Sequence, residues 1–481
     1  MSDSGWITRW RESLRAMADN RWSLLGVALT TATGLSMVWV YGLELLGVRT
    51  SNPYLGILLF LVLPGIFVFG LVLIPFGLWR RRVRLRKAGE SPELPPLDLK
   101  TPKVRRALAF VLSATVVNIA LVGVATSKGL HYMDSNQFCG LTCHSVMAPE
   151  YGAFKDSAHS RVGCAQCHIG PGADWFVKSK LSGLRQVWAV MVGSYHRPIP
   201  SPVENLRPAR ETCEQCHWPQ KFHGDKMQVR VTYGEDEANT PSWTVLTLRL
   251  GGKSWKGLQG IHGRHLDEGS RIQYAAGDSK RHTIPRVLYK DDNGQMVEYL
   301  DESSDLKPEA IAQLPMRGMD CVDCHNRPTH VFDLPGPAID QAMEHGRIAP
   351  DLPFVKKEGL ALLKVEYASR DEAANRIVQG LEAFYKARYP ALAQARAAEI
   401  RTAGEALKEI HLKNVYPDLK LTWGTHANHI GHVNQLGCFR CHAGSHTSKD
   451  GKTIQSDCST CHNILAQDEK DPKVLSDLGL R

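Results

Sequence analysis

Six close cysteine pairs, each running straight into a histidine, restrict what this chain can fold into more than any other feature. Five read C-x-x-C-H: Cys164/Cys167/His168, Cys213/Cys216/His217, Cys321/Cys324/His325, Cys438/Cys441/His442 and Cys458/Cys461/His462. The sixth carries one more residue, Cys139-Gly140-Leu141-Thr142-Cys143-His144. All 12 cysteines are used in this way. At the C-x-x-C-H spacing two thiols bond covalently to the edge of a c-type haem, and the histidine that follows reaches the iron. Structural zinc combines two C-x-x-C pairs, or one pair with a spaced histidine pair, and needs no histidine after every second cysteine. A disulfide framework belongs to short secreted chains, whereas this chain has 481 residues. A redox C-x-x-C occurs once, near a βαβ pattern. The repetition predicts an electron carrier with six haems c, or five if the irregular Cys139/Cys143 site is empty.

Iron held on both faces needs a second axial ligand. The chain has 20 histidines, of which six follow the cysteines. Among the others, His159, His223, His330, His432 and His446 lie close to motifs, and His262 and His265 lie farther off in Gly260-Ile261-His262-Gly263-Arg264-His265. Met147, three residues after His144, is either a ligand to the first haem or a packing residue. A methionine ligand would raise the reduction potential.

The length predicts two or more units. Three apolar runs crowd the first quarter: Trp22–Val48, Tyr54–Trp79 and Ala107–Thr126. Each approaches the roughly 20 apolar residues that cross a bilayer. The first lacks a cleavage pattern and reads as an uncleaved anchor. Pro64 and Pro75 in the second are tolerated in membrane helices. Basic residues mark the N-terminus (Arg9, Arg11, Arg15, Arg21) and the 80–106 link, whereas the link after the first run has only Arg49. The positive-inside rule then places residues 1–21 and 80–106 in the cytoplasm and everything after the third run outside, the side on which bacteria attach haem c. The basic link is read as a topology signal and anionic-lipid contact, with no nucleic acid implied.

The predicted fold is a membrane-anchored multihaem cytochrome c. Three transmembrane helices (22–48, 54–79, 107–126) precede a haem-packed periplasmic domain with little regular structure. Within it the sequence marks a three-haem region at 131–225, a β-rich insert at 226–310, a fourth haem segment at 311–345, a helical segment at 353–413 and a two-haem segment at 414–481. The insert shows strand-like alternation and a hairpin signal at Asp291-Asp292-Asn293-Gly294. The helical segment is rich in Ala, Leu, Glu and Lys and is broken at Pro390.

These features resemble the NapC/NirT family of membrane-anchored multihaem cytochromes. The resemblance rests on an apolar helix leading into FCGLTCHSVM (Phe138–Met147), then SAHSRVGCAQCH (Ser157–His168) and NLRPARETCEQCHWP (Asn205–Pro219). The stretches GCFRCHAGSH (Gly437–His446) and IQSDCSTCHNILAQDE (Ile454–Glu469) look like the larger members with extra membrane helices and haems, the inner-membrane cytochromes of metal-respiring bacteria. The resemblance covers most of the chain. It implies an inner-membrane quinol dehydrogenase of anaerobic respiration. Such a protein takes electrons from menaquinol or another quinol and hands them to periplasmic cytochromes or a terminal reductase. Two departures stand out. The first motif is C-x-x-x-C-H-x-x-M rather than C-x-x-C-H-x-M, and Gln186 falls where small members carry an acid near the quinol pocket.

Quinol oxidation releases protons, so a base belongs near the first haem. Lys180 fits the family's lysine. Glu44, in Leu43-Glu44-Leu45 near the outer end of the first helix, is the second candidate, since an ionisable residue at membrane depth marks function or snorkels to the headgroups. Two other readings stand beside this oxidoreductase. One is a terminal reductase of the nitrite type, with an open haem face. The other is a pure relay docked on another quinol-oxidising protein.

Overall fold

The structure is a computed structural model describing residues 20–45, 58–89, 102–142, 144–203, 206–218, 221–222, 224–254, 257–266 and 271–480. It divides into two compact units, Met1–Ser145 and Val146–Arg481.

The first unit is built on α1 (Arg21–Leu45), α2 (Leu63–Lys87) and α3 (Pro102–Met133). A short π-helical turn, Leu58–Val62, precedes α2. Each helix is long and apolar enough to cross a membrane. Leucine gains nothing by leaving lipid, so such helices associate through close approach of small residues. That is what α1 and α2 do. A Cβ on Gly26 would lie 2.8 Å from the Gly70 carbonyl oxygen, and one on Gly70 would lie 2.6 Å from Thr30 Oγ1. Ser23 Oγ donates to the Ile74 carbonyl at 3.0 Å, across the same contact. Met37, Phe67 and Ala125 bring all three helices into one buried cluster. The last turn of α2 carries Arg84, Arg86 and Lys87, which suit the helix dipole.

Four helices lead into the second unit, α4 (His144–Lys155), α5 (Cys164–His168), α6 (Ala173–Met191) and α7 (Ala209–Cys213), of which α5 and α7 hold cysteines of the first two regular motifs. Strands β1 (Lys226–Tyr233), β2 (Pro241–Leu248), β3 (Gly252–Ser254) and β4 (Gly257–Gln259) follow, then α8 (Gly260–His265). Next come β5 (Ile272–Ala275), β6 (Arg286–Lys290), β7 (Met296–Asp301), β8 (Met316–Gly318) and α9 (Cys321–Cys324). β6 and β7 are joined at Asp291–Gly294, where Asp291 Oδ1 accepts from the Asn293 and Gln295 amides at 2.9 and 2.8 Å. Gly294 takes the left-handed conformation the turn needs, φ +82°.

The sheets are not closed by this region alone. Two strands near the C-terminus complete them: β9 (His446–Ser448) and β10 (His462–Glu469). One sheet runs β1-β2-β10 and another β8-β5-β6-β7-β9, all neighbours antiparallel. Neither late strand shows a sequence signal: β9 is three residues long, and β10 (HNILAQDE) begins on a motif histidine and alternates poorly.

A conventional apolar core is confined to one region, α10 (Pro335–Glu344), α11 (Val355–Leu363), α12 (Arg370–Arg388), α13 (Pro390–Ala395) and α14 (Ala397–Asn414). Ile377, Leu381 and Tyr385, one turn apart on α12, meet Ile400, Ala403 and Leu407 on α14. Ser369 caps α12, its Oγ accepting from the Glu372 amide at 3.1 Å, while Glu372 Oε2 accepts from the Ala368 amide at 2.8 Å. Asp340 Oδ1 accepts from the Tyr233 amide at 3.0 Å, which ties this helical body to β1.

Leu381 is fully buried. Leu381→Ala is expected to cost about 2–5 kcal/mol of stability, read from the urea midpoint of the helical circular-dichroism signal. His411 is buried between Tyr367 and Trp423, with ring centroids 5.3 and 6.0 Å away. Burial, reinforced by Arg370, pushes its pKa down from 6.5 to about 4. A depressed folded value means the stabilisation is complete above the unfolded value and is lost as pH falls toward 4. Stability should therefore drop more steeply between pH 6.5 and 4 in the native protein than in His411→Phe, compared by urea unfolding at each pH.

Candidate metal centres

Each regular motif is shaped by a single helical turn. The motif histidine's amide donates to the first cysteine's carbonyl in His217–Cys213 (2.8 Å), His325–Cys321 (2.8 Å) and His442–Cys438 (3.0 Å). Cys164–His168 is wholly helical, and the Cys461 amide donates to the Cys458 carbonyl at 3.2 Å. Residues three apart on such a turn share a face, so both thiols and the histidine converge. In the irregular motif, Phe138–Thr142 is a π-type turn, a wider winding that takes up the additional residue. Cys143, His223 and the side chains of His144 and Glu44 lie outside the described residues.

The histidines fall into facing pairs. His168 faces His330 with ring centroids 6.2 Å apart, His217 faces His159 at 6.0 Å, and His325 faces His262 at 6.4 Å. His442 faces His265 at 5.8 Å and His462 faces His432 at 6.1 Å. Every pair joins a motif histidine to one from elsewhere in the chain. With metal–nitrogen bonds of about 2 Å and about 1 Å more to each ring centre, two imidazoles on opposite faces of one metal stand about 6 Å apart. The gaps match that distance.

Hydrogen bonds orient several rings. The Nδ1 atoms of His330, His265, His442 and His159 lie 2.9, 2.8, 2.7 and 3.3 Å from the carbonyls of Glu150, Ile261, Gln455 and Pro328. That arrangement leaves Nε2 for a metal. Burial lowers the pKa of His168, His262, His265, His325 and His432, and in each the facing or a neighbouring histidine adds to it. The rings are thereby held neutral, the form that offers a lone pair.

The thiols give the order of the sites. Burial pushes the Cys167 thiol up, and Cys213 and Cys216 of the next motif push it further. The Cys213 and Cys321 thiols hydrogen-bond, which raises Cys321 and lowers Cys213. Burial takes Cys324 to about 11 against the pull of Arg440, with Cys438 adding to the rise. Cys441, more deeply buried, reaches about 12 and feels Cys324. Cys461 is raised by burial and by Cys438. Consecutive motifs, from Cys164 to Cys461, therefore adjoin one another in chain order.

Comparison with known proteins follows this geometry. Residues 101–199 match the NapC/NirT cytochrome c family, N-terminal region. The cytochrome c-type protein ImcH of Geobacter sulfurreducens (strain ATCC 51573 / DSM 12127 / PCA) is 42% identical over 463 residues, spanning 95% of this chain and 90% of that protein. The chain belongs to the NapC/NirT cytochrome c family. No solved structure matches it.

A NapC/NirT cytochrome carries covalently bound haem c, which supplies reversible one-electron chemistry when present. The residues of this cytochrome fit that group: paired thiols on one turn, and an imidazole on each side of a gap of the right width. Two buried ion-pair clusters brace the motifs. Asp323, inside the third regular turn at Cys321–Cys324, accepts from Tyr274 Oη (2.7 Å), Arg281 Nη1 (2.9 Å), Arg317 Nη2 (3.2 Å) and the Asp320 amide (2.7 Å). Arg327 Nη2 grips both oxygens of Glu150 at 3.1 and 3.0 Å, and the Glu150 carbonyl holds His330. Breaking either cluster would leave a buried charge unpaired.

Other sequence candidates are placed differently. His446 is buried on β9 with Nε2 2.7 Å from the Ile284 carbonyl, set against backbone rather than a motif histidine. Met147 lies half-buried on α4. Lys180 is half-buried on α6, its ammonium 4.9 Å from the Phe176 ring centre, and Gln186 follows on the same helix. His265, which faces His442, carries a signal the sequence reading passed over: it is three residues after His262 on α8, so the two share a face and each serves a different motif.

His265→Ala is expected to convert one haem of the cytochrome from low to high spin, leaving the covalent haem count unchanged. Electron paramagnetic resonance of the oxidised protein reads this directly.

Proposed function

We propose that this cytochrome is a quinol dehydrogenase of the bacterial inner membrane. It takes electrons from menaquinol or a related quinol and passes them through about six haems c to periplasmic carriers. The N-terminus and the 80–106 link are cytoplasmic, and the haem-bearing unit is periplasmic.

One observation carries this reading: a row of aromatic rings leads from the apolar helices to the first motif. Tyr41 of α1 stacks on Phe60 with centroids 6.3 Å apart, Phe60 meets Tyr132 of α3 at 5.5 Å, and Tyr132 meets Phe138, beside Cys139, at 5.4 Å. Tyr132 Oη also lies 3.2 Å from Thr142 Oγ1. Flat, apolar walls of this kind suit a quinol ring. Only five residues separate the end of α3 from Cys139, so a lipid-dissolved reductant would meet a haem attachment site at the helix ends.

Lys180 lies beside a feature that points the same way. Val177, Leu181, Leu184, Trp188 and Met191 form one stripe of α6, and each is 55–75% exposed. An apolar stripe that wide, flanked by Lys178, Lys180 and Arg185, suits a helix lying in the membrane interface. Quinol releases two protons as well as two electrons. Lys180 and Glu44, three residues after Tyr41 on α1, are the proposed proton acceptors. The five regular sites each present histidines to both sides of the gap, which favours electron transfer over a terminal reductase with an open iron face.

The test is anaerobic mixing of the purified protein in detergent with a menaquinol analogue. Haem absorbance should report rapid reduction, and Lys180→Met and Glu44→Gln should slow it by about 10²-fold or more, while dithionite still reduces every haem. Turnover of nitrite without quinol-driven reduction would overturn the proposal in favour of a terminal reductase. Reduction by neither would favour a relay subunit.

A further inference from the structure

A sixth histidine pair has the same spacing as the other five but no cysteines. His282 and His429 face each other with ring centroids 5.7 Å apart and planes inclined at 76°. The pair His159/His217 has nearly the same inclination, 77°, at 6.0 Å. His429 is 5% exposed, and its Nε2 has no hydrogen-bond partner. Each of the five regular motif histidines already faces another partner. At motif spacing the thiols of His429 would stand at positions 425 and 428, which hold Thr425 and Asn428, so no thioether can form there.

We infer that His282 and His429 hold an additional iron porphyrin by axial ligation alone, without covalent attachment. The charge around the pair favours a porphyrin over a bare divalent cation. Burial lowers the His429 pKa, and Arg440, His282 and Arg281 lower it further; Arg281 is paired with the Asp323 carboxylate at 2.9 Å, so the charge left beside the gap is that of Arg440, which donates to the Gly437, Arg281 and Asp323 carbonyls. A free zinc or copper ion would be repelled there, whereas haem brings two propionates of the opposite sign. A surface cavity of about 400 Å³, lined by Gly277, Arg281, Met316 and Arg317 among others, opens at Arg281, the residue before His282.

The site lies beside the row of covalent sites. Arg440 is inside the Cys438/Cys441 motif and donates to the carbonyl of Asp323, inside the Cys321/Cys324 motif, at 2.5 Å. A centre held here adjoins the third and fourth regular turns of the path and gives it a side branch.

Acidified butanone extracts haem held only by ligation and leaves thioether-bound haem on the polypeptide. The full-length protein, matured with ample haem, is expected to release about one haem per chain, giving a b-type pyridine haemochrome. His429→Ala and, independently, the half-buried His282→Ala should each lower that yield roughly tenfold or more. The covalent haem count should stay at the wild-type value, which also reports that the variants fold. No extractable haem from the native protein, or a yield unmoved by both substitutions, would overturn the inference. So would one equivalent of zinc or copper by elemental analysis in place of extractable haem. Quinol oxidation is not read in this test, so its outcome is independent of the proposed function.

Discussion

Imidazole rings standing about 6 Å apart around a gap are the constraint on which the second unit depends. Outside the helical body its apolar clusters are small: Val245, Ala466 and Leu475 under one sheet, and Tyr274, Ile284 and Val287 under another. Few backbone segments between Val146 and Leu334 bury enough apolar surface to order themselves. What they share is a pattern of turns whose two ends are fixed by chemistry, two thiols on one side and an imidazole on the other. In a NapC/NirT cytochrome the covalently bound haem closes that pattern. Bound there, it would supply the large apolar surface that the side chains lack. The Asp323 and Glu150 clusters then fix how the turns sit against one another, since their charges are buried and tolerate little displacement.

The first unit solves a different problem. In lipid, burying leucine yields no gain, so the contact between α1 and α2 is made by Gly26, Thr30, Gly70 and Ser23 at distances only small residues permit. Larger side chains are turned outward. At the end of α3 the chain changes solvent, and the aromatic rings from Tyr41 to Phe138 occupy that transition.

The sequence was most legible where chemistry or solvent leaves one answer. Thioether formation tolerates little variation in spacing, so Cys164, Cys213, Cys321, Cys438 and Cys458 announce themselves. A bilayer demands unbroken apolar runs, so the three long helices do too. The Asp291-Asp292-Asn293-Gly294 turn is legible because its conformation requires a glycine at the end. Partners across the gaps were not legible. His159 and His217 lie 58 positions apart and His265 and His442 lie 177 apart, and no local pattern couples such positions. Exposure along α6 was equally hidden, because an apolar stripe reads the same whether protein or lipid covers it. Asp323, between the cysteines of its motif, carries no local signal of its partners, yet it is buried among two arginines and a tyrosine.

Late completion of the sheets has its own consequence for biogenesis. β2 waits for β10, whose first residue, His462, pairs with Leu248 across 214 positions of chain. Until the C-terminus has been made, β2 lacks its neighbour on that edge. Porphyrin attached before that point would meet an open polypeptide, which the last stretch to emerge would lock like a clasp.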